Sequence, residues 1–219
     1  MAAQPRLGQV VSWRAAAPVI GFDLDLTLLD ARAGIRAALA VLSGETGVSV
    51  DADVVVGRLG PPLETELAHW FPAADVPAAA TRYRQLYSAH ALPASVPMPG
   101  ATEAVAAVRA LAGRVVVVTA KSTALARASL DHIGIAADVV EGARFASSKG
   151  TAVLAHQVDV FVGDHVGDVV GAREGGAVAV GVATGPCSAD DLSAAGADIV
   201  LAHLSEFPRW LSAEAARRR

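Results

Sequence analysis

The apolar positions of this chain fall into two alternating rhythms. Val19-Ile20-Gly21-Phe22, Val115-Val116-Val117-Val118 and Val158-Asp159-Val160-Phe161-Val162 are short and rich in β-branched residues, and each runs into a polar end: Asp23, Thr119 and Gly163-Asp164. Ala177 to Val182, ahead of Ala183-Thr184-Gly185, repeats the pattern, and Ala137-Asp138-Val139-Val140 is a fainter copy. Such runs predict strands buried in a parallel sheet. Between them, Val105, Val108 and Leu111 within Thr102 to Leu111, and Leu125, Ser129, Leu130 and Ile133, recur at helical spacing. Strand and helix in alternation predict an α/β fold with a doubly wound parallel sheet.

Residues 31–97 break this rhythm. Ile35, Leu39 and Leu42 keep helical spacing, and Leu63 to Phe71 and Val76 to Leu92 follow Pro or Gly punctuation, which predicts an all-helical insertion. Pro93, Pro97, Pro99 and Gly100 close it with a cluster unable to continue a helix and suited to a hinge. The predicted core is then residues 19–30 and 98–219. Residues 1–18 read as an N-terminal extension, because Leu7 to Val11 is too short for a secretory h-region.

Composition narrows the classes. With 219 residues, 53% of them hydrophobic, the chain can bury one substantial core plus a smaller module. No window approaches the roughly 18 uninterrupted apolar residues of a membrane span. A net charge of −4 without a basic stripe offers nucleic acid no electrostatic footprint, and Arg217 to Arg219 read as a solvated helix end. The single cysteine, Cys187, cannot form an internal disulfide, which fits a reducing cytoplasm. Of 18 basic residues only Lys121 and Lys149 are lysines, so a lysine here points to chemistry and not to generic surface charge.

In an open parallel sheet, ligands bind beyond the carboxyl ends of the strands. The polar residues at those ends are Asp23-Leu24-Asp25-Leu26-Thr27, then Thr119, then Lys149 at a predicted helix start, then Gly163-Asp164-His165-Val166-Gly167-Asp168. Four carboxylates at neighbouring strand ends repel one another unless something neutralises them. A hard cation with oxygen ligands, Mg²⁺, is the expected partner.

That set, in that order, resembles the haloacid dehalogenase superfamily, from about Val19 to the C-terminal region, with a Rossmann-like core and a helical cap between the first two motifs. The resemblance implies that Asp23 attacks phosphorus and that Asp25 serves as acid and base. It assigns phosphate binding to Thr119 and Lys149, and the metal to Asp23, the carbonyl of Asp25 and Asp164, with Asp168 beside it holding a water or pairing with Lys149. Arg58-Leu59-Gly60-Pro61-Pro62-Leu63 resembles the cap segment of phosphoglycolate phosphatase-like members, so Arg58 or Glu64 is expected to read the substrate beyond its phosphate. Thr27 is expected to fix its loop by local hydrogen bonding; Leu26 occupies a position that is often Gly in relatives. His165 is open to substrate contact or loop capping, and Lys121, open to phosphate or solvent, stands outside the catalytic set.

The implied reaction is Mg²⁺-dependent hydrolysis of a small phosphorylated metabolite (phosphoglycolate-like, a nucleotide or a sugar phosphate). A sugar phosphomutase shares the aspartates and metal, and a catalytically silent binding protein shares the fold; both remain alternatives. A dehalogenase would need neither Asp25 nor the metal. In a response-regulator receiver the acidic pair comes first and the lysine last, whereas here Asp164 and Asp168 follow Lys149.

Overall fold

The computed structural model describes residues 17–217, so the expected N-terminal extension lies almost wholly outside the described residues. Strand β1 (Val19–Phe22) is followed by β2 (Leu29–Asp30), helices α1 (Arg32–Thr46), α2 (Ala52–Val56), α3 (Leu63–Leu67), α4 (Val76–Leu86) and α5 (Leu92–Ala94), and β3 (Val96–Pro97). The chain continues through α6 (Ala101–Ala110), β4 (Arg114–Val118), α7 (Thr123–His132), β5 (Val139–Glu141), α8 (Ser147–Ala155) and β6 (Val160–Gly163). It ends with α9 (Val166–Glu174), β7 (Val178–Val182), α10 (Ala189–Ala194), β8 (Ile199–Leu201) and α11 (Phe207–Ala216).

Six strands form one parallel sheet in the order β5-β4-β1-β6-β7-β8. The order reverses at β1, which places a ligand crevice at the carboxyl ends of β1, β4 and β6. Alternation along the strands feeds two cores: Ile20, Phe22, Val115, Val117, Val160 and Val162 face one, and Val116, Val118, Phe161 and Ala179 face the other. The first core is continuous with Leu24 and Leu28 and with Ile35 and Leu39 of α1, so the helical segment and the sheet share apolar packing.

The helical segment departs and returns through a two-stranded antiparallel ribbon, with Leu29 opposite Pro97 and Asp30 opposite Val96. Two of its helices differ from the periodicity. The regular helix from Leu63 ends at Leu67, ahead of Pro72, and the stretch Val76 to Leu92 is interrupted by a π turn at Tyr87–Ala91. The sheet also has a sixth strand that the hydrophobic pattern did not announce, because β8 offers three apolar residues only. Among the described residues no helix is long and apolar enough to cross a membrane.

Candidate active site

Asp23 extends β1 by one rung, its N–H donating to Val162 O at 2.9 Å. The chain then folds back on itself, the N–H groups of Thr27, Leu28 and Leu29 all donating to Leu24 O at 3.3, 2.9 and 2.9 Å. This turn forces Leu26 to φ 61°, a left-handed conformation that costs a non-glycine residue roughly 1–2 kcal/mol. Burial of the Leu26 side chain offsets the strain, and Thr184 Oγ1 donates to its carbonyl at 2.7 Å. Thr27 does not bond locally as expected. Its hydroxyl donates to Asp164 Oδ1 at 2.8 Å and ties the first acidic loop to the one after β6.

After β6, His165 caps α9: its Nδ1 accepts from Gly167 N at 2.9 Å, while Asp168 Oδ2 accepts from His165 N at 3.1 Å. The other Asp168 oxygen accepts from Lys149 Nζ at 2.5 Å. Lys149 lies in the first turn of α8, with Nζ also 2.8 Å from Asp23 Oδ1. Gly171 permits this approach, since a Cβ there would come within 2.7 Å of Lys149 Cβ.

Asp23, Asp164 and Asp168 are all buried and bring one carboxylate oxygen each within 4.8 Å of the others. Asp23 Oδ1 meets the Lys149 ammonium in an ion pair at 2.8 Å and, among the described residues, no other donor. Burial pushes the Asp23 carboxyl up to about 7, with Asp168 and Asp25 adding to the rise and Lys149 opposing it. Burial likewise raises Asp164 well above the carboxylate range, reinforced by Asp23 and Asp168. Lys149 shows the converse: burial works against its charge, yet Asp168 and Asp23 hold it above its ordinary value. One ammonium thus faces three buried carboxylates. The converging oxygens and this excess of negative charge fit a hard divalent cation.

Asp25 points elsewhere. Its Oδ1 accepts from Lys121 Nζ at 2.7 Å, and the same ammonium donates to Tyr87 Oη at 2.6 Å and lies 4.4 Å from the Tyr87 ring centroid. The Lys121 side chain is 8% exposed; burial works against its charge, yet Asp25 and Tyr87 raise its pKa above the ordinary value. The structure thus brings Lys121, which stands outside the expected catalytic set, onto Asp25; the scarcity of lysine is the signal in the sequence that marks it. Tyr87 comes from the π turn and had no such signal. Thr119 is buried beside them, its N–H donating to Glu141 O at 3.0 Å and its Oγ1 accepting from Lys121 N at 3.2 Å. Lys121→Met is expected to lower kcat on the order of 10–100-fold with a smaller change in KM, because Asp25 loses the group that orients it; steady-state kinetics with any turned-over ester checks this.

From Asp23, Asp25 and Thr119 a cavity runs into the helical segment. Arg58 lines it, its guanidinium 2.6 Å from Glu66 Oε1. Glu64 does not: it is exposed and pairs at 2.6 Å with Arg84, which does line the cavity. Successive residues on a helix point about 100° apart, so when Leu63 faces the cavity Glu64 turns from it.

A parallel sheet whose reversal point gathers an acidic pair after β1, a threonine after β4, a lysine in α8 and two aspartates after β6 defines a class of hydrolases. The chain belongs to the haloacid dehalogenase-like hydrolase family, whose model matches residues 20–180. It is 29% identical to the phosphoglycolate phosphatase of Caulobacter vibrioides, over 87% of this chain and 89% of that one. It is 27% identical to the "Probable phosphatase IndB" of Dickeya dadantii, over 86% and 91% of the two chains. Among solved structures, a haloacid dehalogenase-like hydrolase from Streptococcus pneumoniae superposes with a TM-score of 0.77 at 26% identity, covering 90% of this chain and 98% of its own.

Proposed function

We propose that this chain is a phosphatase that hydrolyses small phosphate monoesters through an aspartyl-phosphate intermediate, with Mg²⁺ as cofactor and residues 31–97 as a cap over the substrate. The observation that carries the reading is the buried Asp23 carboxylate at the meeting point of Asp164, Asp168 and Lys149, with the Lys149 ammonium 2.8 Å from its Oδ1. Such a carboxylate is available to attack, and the names of the two relatives support phosphoryl chemistry.

In the first step Asp23 forms a bond to phosphorus, the ester P–O bond breaks, and the departing alkoxide takes a proton from Asp25. In the second, water gives a proton to Asp25 and attacks phosphorus, which releases Asp23 and inorganic phosphate. Lys121, itself anchored on Tyr87, holds Asp25 for both transfers, and Lys149 and Thr119 receive phosphate oxygens. Mg²⁺, held by Asp23, Asp164 and the Asp25 carbonyl with Asp168 beside it, would supply neutralisation of the charge on those oxygens. A lid of this kind excludes water during the first transfer and favours a small metabolite over a large phosphoprotein.

Release of inorganic phosphate from a panel of small esters, with and without Mg²⁺, tests the reading. Metal-dependent release by the native chain is the expected result, and no release from any ester would favour a phosphomutase or a silent binding protein. Millimolar Mg²⁺ is also expected to raise the melting temperature by a few degrees, through binding to the folded state alone. Thermal denaturation of Asp164→Asn with and without Mg²⁺ should show that gain reduced or lost.

A further inference from the structure

We infer that the cavity beyond Asp25 is built for an uncharged, apolar leaving group, so that the enzyme prefers small alkyl or aryl phosphates to esters that carry a carboxylate. The inference rests on the phosphatase reading above and narrows its substrate class. Much of the wall away from the acidic loop is apolar: Ile35 and Leu39 from α1, Val55 from α2, Leu67 from α3, Tyr83 from α4 and Leu125 from α7. The cavity, about 110 Å³ in volume, opens partly to solvent.

The charges near this space are already matched. Among the described residues lining the cavity, Lys121 serves Asp25 and Tyr87, Arg58 serves Glu66, and Arg84 serves Glu64. Lys149, at the acidic end, is held by Asp23 and Asp168. The charge of Arg58 is matched by Glu66, which is buried and also accepts from Trp70 Nε1 at 3.0 Å. A carboxylate leaving its hydration shell for this cavity would therefore have to share a cation whose charge is already matched by Asp25, Glu66 or Glu64, which leaves its own charge under-compensated. Arg84 is the loosest of the set, since both it and Glu64 are more than a third exposed. Glu64 thus acts at one remove, as a positioning residue that cancels the charge of Arg84.

The experiment compares kcat/KM for n-propyl phosphate, n-butyl phosphate and phosphoglycolate, which matches the propyl ester in length but ends in a carboxylate. The native chain with Mg²⁺ is expected to favour the propyl ester by about tenfold or more, with a further gain of about threefold for the added methylene. Glu64→Gln, a change at the surface, should shift the ratio toward phosphoglycolate by about threefold or more, by releasing Arg84. Brisk turnover of phosphoglycolate with slower alkyl esters would overturn this inference and leave the phosphatase reading standing. An unshifted ratio in Glu64→Gln would overturn the role of the paired charges. Absence of turnover on all three esters and on p-nitrophenyl phosphate would remove the phosphatase reading and this inference with it.

Discussion

Asp23→Asn is expected to abolish phosphate release, by about a thousandfold or more, while making the metal-free protein more stable above neutral pH. The catalytic loss follows from removing the nucleophile, since an amide cannot form the acyl phosphate. The gain in stability follows from the charge cluster. Burial lifts the folded-state pKa of Asp23 from 3.8 to about 7, so between those values the unfolded chain has shed a proton that the folded chain keeps. Stability contributed by the protonated group is complete below pH 3.8, declines as pH rises, and is gone above about 7. Asparagine carries no such titration. The variant's advantage should be absent near pH 4, grow through the window and level off above 7, with each kcal/mol appearing as roughly 2–4 °C in melting temperature. Denaturation scans in EDTA at pH 4, 6 and 8 give one readout and phosphate release the other. Near-native turnover by the variant would rule out the covalent route.

Lys149→Met should be inactive for the opposite energetic reason. Its ammonium is the positive group nearest both Asp23 and Asp168, at 2.8 and 2.5 Å, and it is buried with them. Removing one partner from a buried ion pair costs about 3–5 kcal/mol because the remaining charges stay uncompensated. The expected result is a loss of activity of about a hundredfold or more together with a lower melting temperature in EDTA. The deficit should be larger at pH 8 than at pH 5, since protonation of the raised carboxyls relieves the repulsion. Two inactive variants that move stability in opposite directions would identify a frustrated charge cluster, which a simple packing defect at either residue would not imitate. A fully active Lys149→Met would mean that this lysine does not bind the phosphate.

The difference between Glu64 and its neighbours shows where sequence reasoning stopped. The Gly-Pro turn before α3 marked the segment that reaches toward the site, and Arg58 and Leu63 do line the cavity. Which of Glu64 and Glu66 faces it depends on the rotation of a five-residue helix, too short for a periodic pattern to reveal. In the same way, Val76 to Leu92 read as one helix, and its π turn places the Tyr87 hydroxyl on Lys121.

The sequence by itself determined five of the six strands of the central sheet, a largely helical stretch between the first two of them, and the acidic, threonine and lysine positions beyond their ends. Each of these depends on local spacing: a strand or helix shows its period within a few turns, and a polar residue that ends an apolar run announces itself. Tertiary structure alone decided which of those groups meet. Thr27 bonds Asp164 across 137 residues, Lys121 pairs with Asp25 across 96, and Lys149 closes on Asp168 only because α9 offers a glycine to α8. Contacts at such separations leave no periodic trace in the chain, because they are set by how the sheet orders its strands and how the helices pack upon it.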